Sequence, residues 1–114
     1  MTTVRNISRE VLQQKLAGGD EFVIVEALGP MHYDEAHLPG ARNLPHERVD
    51  ELAAEVVPDM EVFVVVYCAN TACQNSVIAS RRLAELGYTN VHEYVEGKQD
   101  WIEAGLPTEA TAPV

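Results

Sequence analysis

Short apolar runs alternate along this chain with longer stretches in which apolar residues recur at helical spacing. The longest run, Val62-Phe63-Val64-Val65-Val66-Tyr67, is β-branched and aromatic and shows no alternation, which suits a parallel strand buried on both faces. It stops at Cys68. Ala69 to Asn75 are small or polar, and a helical period resumes near Ser76 in Ile78, Ala79, Leu83 and Leu86 before ending at Gly87. Phe22-Val23-Ile24-Val25 predicts a second buried strand, which delivers Glu26 to the same carboxyl edge of the sheet as Cys68. Val91 to Tyr94 predicts another, and shorter extended pieces fall at Ile7 and at Arg42-Asn43-Leu44.

The helices between them follow from their punctuation. Ser8 is placed to cap a helix through Val11, Leu12, Lys15 and Leu16, which Gly18-Gly19 ends. Gly29-Pro30 breaks the chain before a short helix over Met31 to Ala36, and His37-Leu38-Pro39-Gly40-Ala41 reads as a turn. Pro45 suits the first turn of a helix carrying Val49, Leu52, Ala53 and Val56, up to the break at Pro58-Asp59. A last helix begins at about Lys98, buries Trp101 and stops at Gly105-Leu106-Pro107. Strands alternating with helices predict an α/β domain with right-handed crossovers and helices on both faces.

Composition narrows the setting. With 114 residues, 46% of them hydrophobic, the chain fits one domain with its own core. That domain is expected over 1–107, with 108–114 a flexible C-terminal tail. The net charge of −10, with only eight Lys and Arg, argues against nucleic acid or an anionic membrane as partner. No signal-like N-terminus and no membrane-length apolar run is visible, so a cytoplasmic location is the expectation. His32, His37, His46 and His92 are scattered without ligand spacing, so neither a metal nor another cofactor is expected.

Candidate chemistry centres on Cys68, at the junction of a central strand, a loop and a helix N-terminus. Ligands of open α/β sheets bind at that edge, and the helix dipole favours an anion there. Cys68 and Cys73 share one loop, too few and too close for a disulfide framework but suited to a chemical role. Glu26 and His37 are candidates for the edge of the pocket. Glu26 has the alternative of a cap or a pair with Arg42, and His37 the alternative of hydrogen-bonding backbone around the Pro39-Gly40 turn. Asn75 or Ser76 is expected to cap the helix that follows the loop.

Taken together, Ile24-Val25-Glu26, the run from His37 through Gly40 to Pro45, the strand ending at Cys68, Leu86-Gly87-Tyr88-Thr89-Asn90-Val91, and Glu96-Gly97 followed by Trp101 resemble a single-domain rhodanese from roughly Ile7 to Pro107. The resemblance implies a rhodanese-like, mainly parallel five-stranded sheet with helices on both faces. It also implies a sulfurtransferase in which Cys68 takes sulfane sulfur from thiosulfate, a small persulfide or a protein persulfide and passes it to a thiol acceptor. The active-site loop would then comprise Ala69, Asn70, Thr71, Ala72, Cys73, Gln74, Asn75 and Ser76, whose N–H groups would cradle the persulfide.

The chain departs from the family pattern in that loop. It is longer than usual and holds neither a glycine nor a basic residue, which predicts poor use of the thiosulfate dianion. Two other readings follow from the same residues. One is a sulfur-carrier or redox-regulatory module in which Cys68 and Cys73 close reversibly into a disulfide. The other is a phosphatase-like activity on the same fold, which is weakened because no Arg lies between Cys68 and Arg81.

Overall fold

The computed structural model describes residues 4–19 and 21–111. Five strands and five helices run in the order β1 (Arg5–Asn6), α1 (Arg9–Gly18), β2 (Val23–Glu26), α2 (Pro30–Glu35), β3 (Arg42–Asn43), α3 (Val49–Val56), β4 (Val64–Tyr67), α4 (Asn75–Glu85), β5 (Val91–Tyr94) and α5 (Gly97–Glu103). The strands form one sheet in the order β1-β5-β4-β2-β3, and every neighbouring pair is parallel. This is the α/β architecture expected from the alternating pattern.

All four residues of β4 are buried because both faces of the sheet are covered. Successive side chains point to opposite faces, so one strand feeds two cores. Val64 and Val66 join Val25, Val49, Ala53, Ala79 and Leu83 under α3 and α4. Val65 and Tyr67 join Ile24, Leu12, Tyr94 and Trp101 under α1 and α5. Fully burying an aliphatic side chain of this size stabilises by about 1.5–3 kcal/mol, which explains a run with no polar interruption.

Boundaries moved where local hydrogen bonding outweighed pattern. Ser8 caps α1 as expected, its Oγ accepting from the Val11 N–H at 3.2 Å. The segment from Pro45 is not one helix. Pro45 precedes a 3₁₀ turn at His46–Arg48, and α3 starts only at Val49. Leu38-Pro39-Gly40-Ala41 is a turn closed by the Ala41 N–H on the Leu38 carbonyl at 3.0 Å. Gly40 supplies the positive φ of 74° that a side chain would resist.

Residues 108–111, part of the expected tail, make contacts with the rest of the domain. Glu109 forms an antiparallel bridge with His37 through two backbone hydrogen bonds of 2.8 and 2.9 Å. The Thr111 hydroxyl donates to Asp34 at 2.7 Å. These bonds offset the entropy of ordering a terminus. Residues 112–114 of the expected tail lie outside the described residues. No helix among the described residues is long and apolar enough to cross a membrane.

Candidate active site

The register places Glu26, Tyr67 and Tyr94 side by side at the carboxyl ends of β2, β4 and β5. Cys68 follows directly and is only 1% exposed. The loop then crosses to α4, which begins at Asn75 with no side chain capping its N-terminus. Neither expected cap forms. Asn75 is the first helical residue, and the buried Ser76 hydroxyl instead donates to Glu93 Oε2 on β5 at 2.7 Å. The first-turn N–H groups of α4 are therefore left for the loop region, where they favour negative charge.

Cys68 and Cys73 are joined by a disulfide, with their Cα atoms 6.3 Å apart. Asn70 folds the loop so that they meet. Its carbonyl accepts from the Cys73 N–H at 3.1 Å, and its Oδ1 accepts from the Ala72 N–H at 3.0 Å. Two donors of the expected cradle are thus spent inside the loop. Thr71, Ala72 and Gln74 are exposed, while Ala69, Asn70, Cys73 and Asn75 are half-buried.

The other side of the loop is held by α5. The Lys98 and Gln99 N–H groups donate to the Cys68 and Ala69 carbonyls, both at 2.8 Å. Such contact requires Gly97, whose φ is 72° and whose missing Cβ would lie 2.6 Å from the Cys68 carbonyl oxygen. Sequence reasoning placed Gly97 in a motif without a role. The available signal was a glycine at the first position of a helix that follows a strand.

Lys98 was also missed as a site residue. Its Nζ lies 3.0 Å from Glu26 Oε1 and donates to the Ala36 and His32 carbonyls at 2.7 and 3.1 Å. Glu26 is fully buried, so it stands beneath the site and not on the pocket edge. Its partner is Lys98, not Arg42, which donates instead to the Val56 carbonyl at 2.7 Å. The Tyr67 hydroxyl donates to the same Glu26 oxygen at 2.8 Å and accepts from the Leu38 N–H at 3.1 Å. Burial, and then the Glu26 charge, push the Tyr67 hydroxyl far above its ordinary pKa, so it stays a donor. Glu26, Tyr67 and Lys98 form a strut joining β2, β4 and α5 under Cys68.

His37 is also buried. Its Nδ1 lies 2.7 Å from the Tyr33 carbonyl, its ring stacks on Tyr33 at 3.9 Å, and its Nε2 is 3.9 Å from Glu109. The ring thus bonds the backbone of α2, not that of the Pro39-Gly40 turn.

A cleft of about 270 Å³ opens beside the loop, lined by Asn70, Thr71, Glu96, Gln99, Asp100 and Glu103. Three of these six are carboxylates and none is basic. Of the cleft's carboxylates, Asp100 is paired with Arg9 through bonds of 2.9 and 3.0 Å, and the Tyr94 hydroxyl adds a third at 2.6 Å. Larger grooves of about 500 and 680 Å³ run along β1 and β5, lined by residues that include neither cysteine. Among the described residues no group of three or more His, Cys, Asp or Glu could hold a metal ion.

Comparison with known proteins identifies the family and the fold. The family model described as rhodanese-like domain matches residues 8–104. A sulfurtransferase of Allochromatium vinosum is 30% identical over 107 residues, covering 94% of this chain and 96% of its own. An HTH-type transcriptional regulator of Mycobacterium tuberculosis is 31% identical over 105 residues, covering 92% of this chain but 44% of the regulator. The chain spans only about half the length of several curated relatives it matches. Among solved structures, the BH2092 protein of Bacillus halodurans superposes with a TM-score of 0.86 at 24% identity, covering 94% of this chain and 77% of that one; this shows the shared fold. With its five-stranded parallel sheet and a cysteine ending the central strand, the chain belongs to the rhodanese-like domain family.

Proposed function

We propose that the chain is a sulfurtransferase that carries sulfane sulfur as a persulfide on Cys68. The observation that carries this reading is the position of Cys68, between the central strand and the uncapped N-terminus of α4. Family membership and the sulfurtransferase relative support sulfur transfer in general.

A dithiol reductant, itself oxidised to a disulfide, first opens the Cys68–Cys73 bond and frees both thiols. Once the disulfide is open, the α4 dipole and first-turn N–H groups favour the Cys68 thiolate over the thiol. The thiolate attacks the outer sulfur of a donor persulfide, and the donor's own thiolate leaves. The new outer sulfur on Cys68 rests against the loop 69–76. An acceptor thiolate then attacks that sulfur and releases Cys68 as thiolate, ready for the next donor. Glu26 and His37 take no direct part. Glu26 positions the loop through Lys98, and His37 packs against α2 through Tyr33.

The acidic cleft selects the donor. Glu96 and Glu103 repel a dianion beside a loop with no basic residue. A thiol persulfide, small or protein-borne, binds through apolar and backbone contacts and is the preferred class. Intact mass of the reduced protein after exposure to a small thiol persulfide tests the reading. The Cys73→Ser protein should gain one sulfur atom that reductant removes. Cys68→Ser should fold and gain none, and equal uptake by the two variants would refute the assignment.

The disulfide favours a second reading, in which the pair opens and closes as a redox module. It predicts a reversible two-thiol titration with no sulfur uptake in any variant.

A further inference from the structure

We infer that Cys73 is a second catalytic residue, a resolving thiol that attacks the Cys68 persulfide and releases its sulfur as hydrosulfide. This inference rests on the reading of Cys68 as the persulfide carrier. It adds an activity, persulfide reduction, to the transfer of sulfur between thiols.

The geometry comes from the loop itself. The Cα separation of 6.3 Å lies within the range a disulfide spans, about 4.4–6.8 Å. The Asn70 turn turns the chain back, and the α5 N–H groups fix the Cys68 end, so Cys73 meets Cys68 without unfolding either strand or helix. Cys73 lies two residues before the first residue of α4, so the positive end of that dipole stabilises its thiolate too.

The step balances without an external oxidant. Cys73 loses its thiol proton to solvent, and the thiolate attacks the inner sulfur, Cys68 Sγ. The Cys73–Cys68 S–S bond forms as the bond from Cys68 Sγ to the outer sulfur breaks. The electron pair leaves with the outer sulfur as hydrosulfide. The sulfane sulfur is reduced, and the two cysteines are oxidised to the disulfide found in the structure. A second turnover needs a dithiol reductant, either a small dithiol or a protein with a vicinal thiol pair, which returns both cysteines to thiols.

Competition decides where the sulfur goes. A thiol tethered on a short loop acts at an effective concentration of at least the millimolar range, and a well-oriented one at far more. Diffusing thiol acceptors therefore capture the outer sulfur only when bound in the cleft beside Asn70 and Thr71.

The test uses the full chain, reduced, desalted and kept anaerobic, mixed with equimolar glutathione persulfide. Hydrosulfide is trapped with a bimane, and thiols are blocked before intact mass measurement. The wild type should release hydrosulfide stoichiometric with protein and end with the loss of two hydrogens. Cys73→Ser and Cys73→Ala should hold the added sulfur and release hydrosulfide no faster than the protein-free control. A wild type that holds the sulfur as long as Cys73→Ser overturns the resolving role while leaving the Cys68 reading intact. Folded Cys73 variants that gain no sulfur overturn the Cys68 reading itself, and with it this inference.

Discussion

Gly97→Ala will damage the site from outside the loop. The residue sits at φ 72°, and an added Cβ would lie 2.6 Å from the Cys68 carbonyl oxygen and 3.0 Å from backbone atoms of Ala69 and Asn70. Left-handed backbone costs an L-residue about 1–2 kcal/mol. The backbone of the loop cannot swing aside as a flexible side chain would, so the clash is relieved by pulling α5 away. That endangers the Lys98 and Gln99 bonds to the Cys68 and Ala69 carbonyls, each worth about 0.5–1.5 kcal/mol. The sum is roughly 2–5 kcal/mol, against a total stability of about 5–15 kcal/mol for a domain of this kind. Gly19→Ala is the matched control. Its φ is 71°, with nothing within 4 Å of the added Cβ, so it carries the backbone penalty alone. Urea denaturation of the reduced proteins should show Gly97→Ala losing about 1–3 kcal/mol more than Gly19→Ala. The rate of sulfur uptake at Cys68 should fall roughly tenfold in Gly97→Ala, since misplacing a reacting group by a fraction of an ångström costs about that much, and should be unchanged in Gly19→Ala. Equal losses in both variants, in stability and rate, would refute the clamp between α5 and the loop.

Three further outcomes follow from the same geometry. Lys98→Met leaves the fully buried Glu26 with the Tyr67 hydroxyl as its remaining bond and should cost about 3–5 kcal/mol in urea. The double variant with Glu26→Gln should recover part of that, and no recovery would show that the pair is uncoupled. Thiosulfate should be a poor donor with a high KM, and Glu96→Gln with Glu103→Gln should lower that KM; steady-state rates with thiosulfate as efficient as with a thiol persulfide would contradict the acidic-cleft argument. Burial, then Lys15 and Arg5, lower the His92 pKa below its ordinary 6.5. The unfolded chain therefore binds the extra proton first, so stability is present above that value and is lost as pH falls below it. His92→Leu should flatten this part of the stability curve, and an unchanged slope would remove His92 as its source.

Much of the site was legible one segment at a time. An apolar run without alternation can be accommodated only where both faces are covered, and that placed β4 at the centre and Cys68 at its carboxyl end. Pro39 and Gly40 specify their turn by their own backbone limits, and Ser8 its cap by the reach of one hydroxyl. The uncapped start of α4 was not legible, because Ser76 is as good a cap by type as Ser8. Glu93, brought alongside by the pairing of β5 with β4, takes its hydroxyl away.

The sequence by itself determined what each segment's own side chains decide: the alternation of strands and helices, the family pattern, the strand-end cysteine and the absence of a basic residue in its loop. Only the tertiary structure decided which distant groups meet. Lys98 rather than Arg42 neutralises Glu26, Glu109 pairs with His37, and Gly97 admits α5 against the Cys68 carbonyl. Periodicity and propensity are short-range signals, whereas a buried charge or backbone carbonyl takes whichever partner the packed sheet brings within hydrogen-bonding distance.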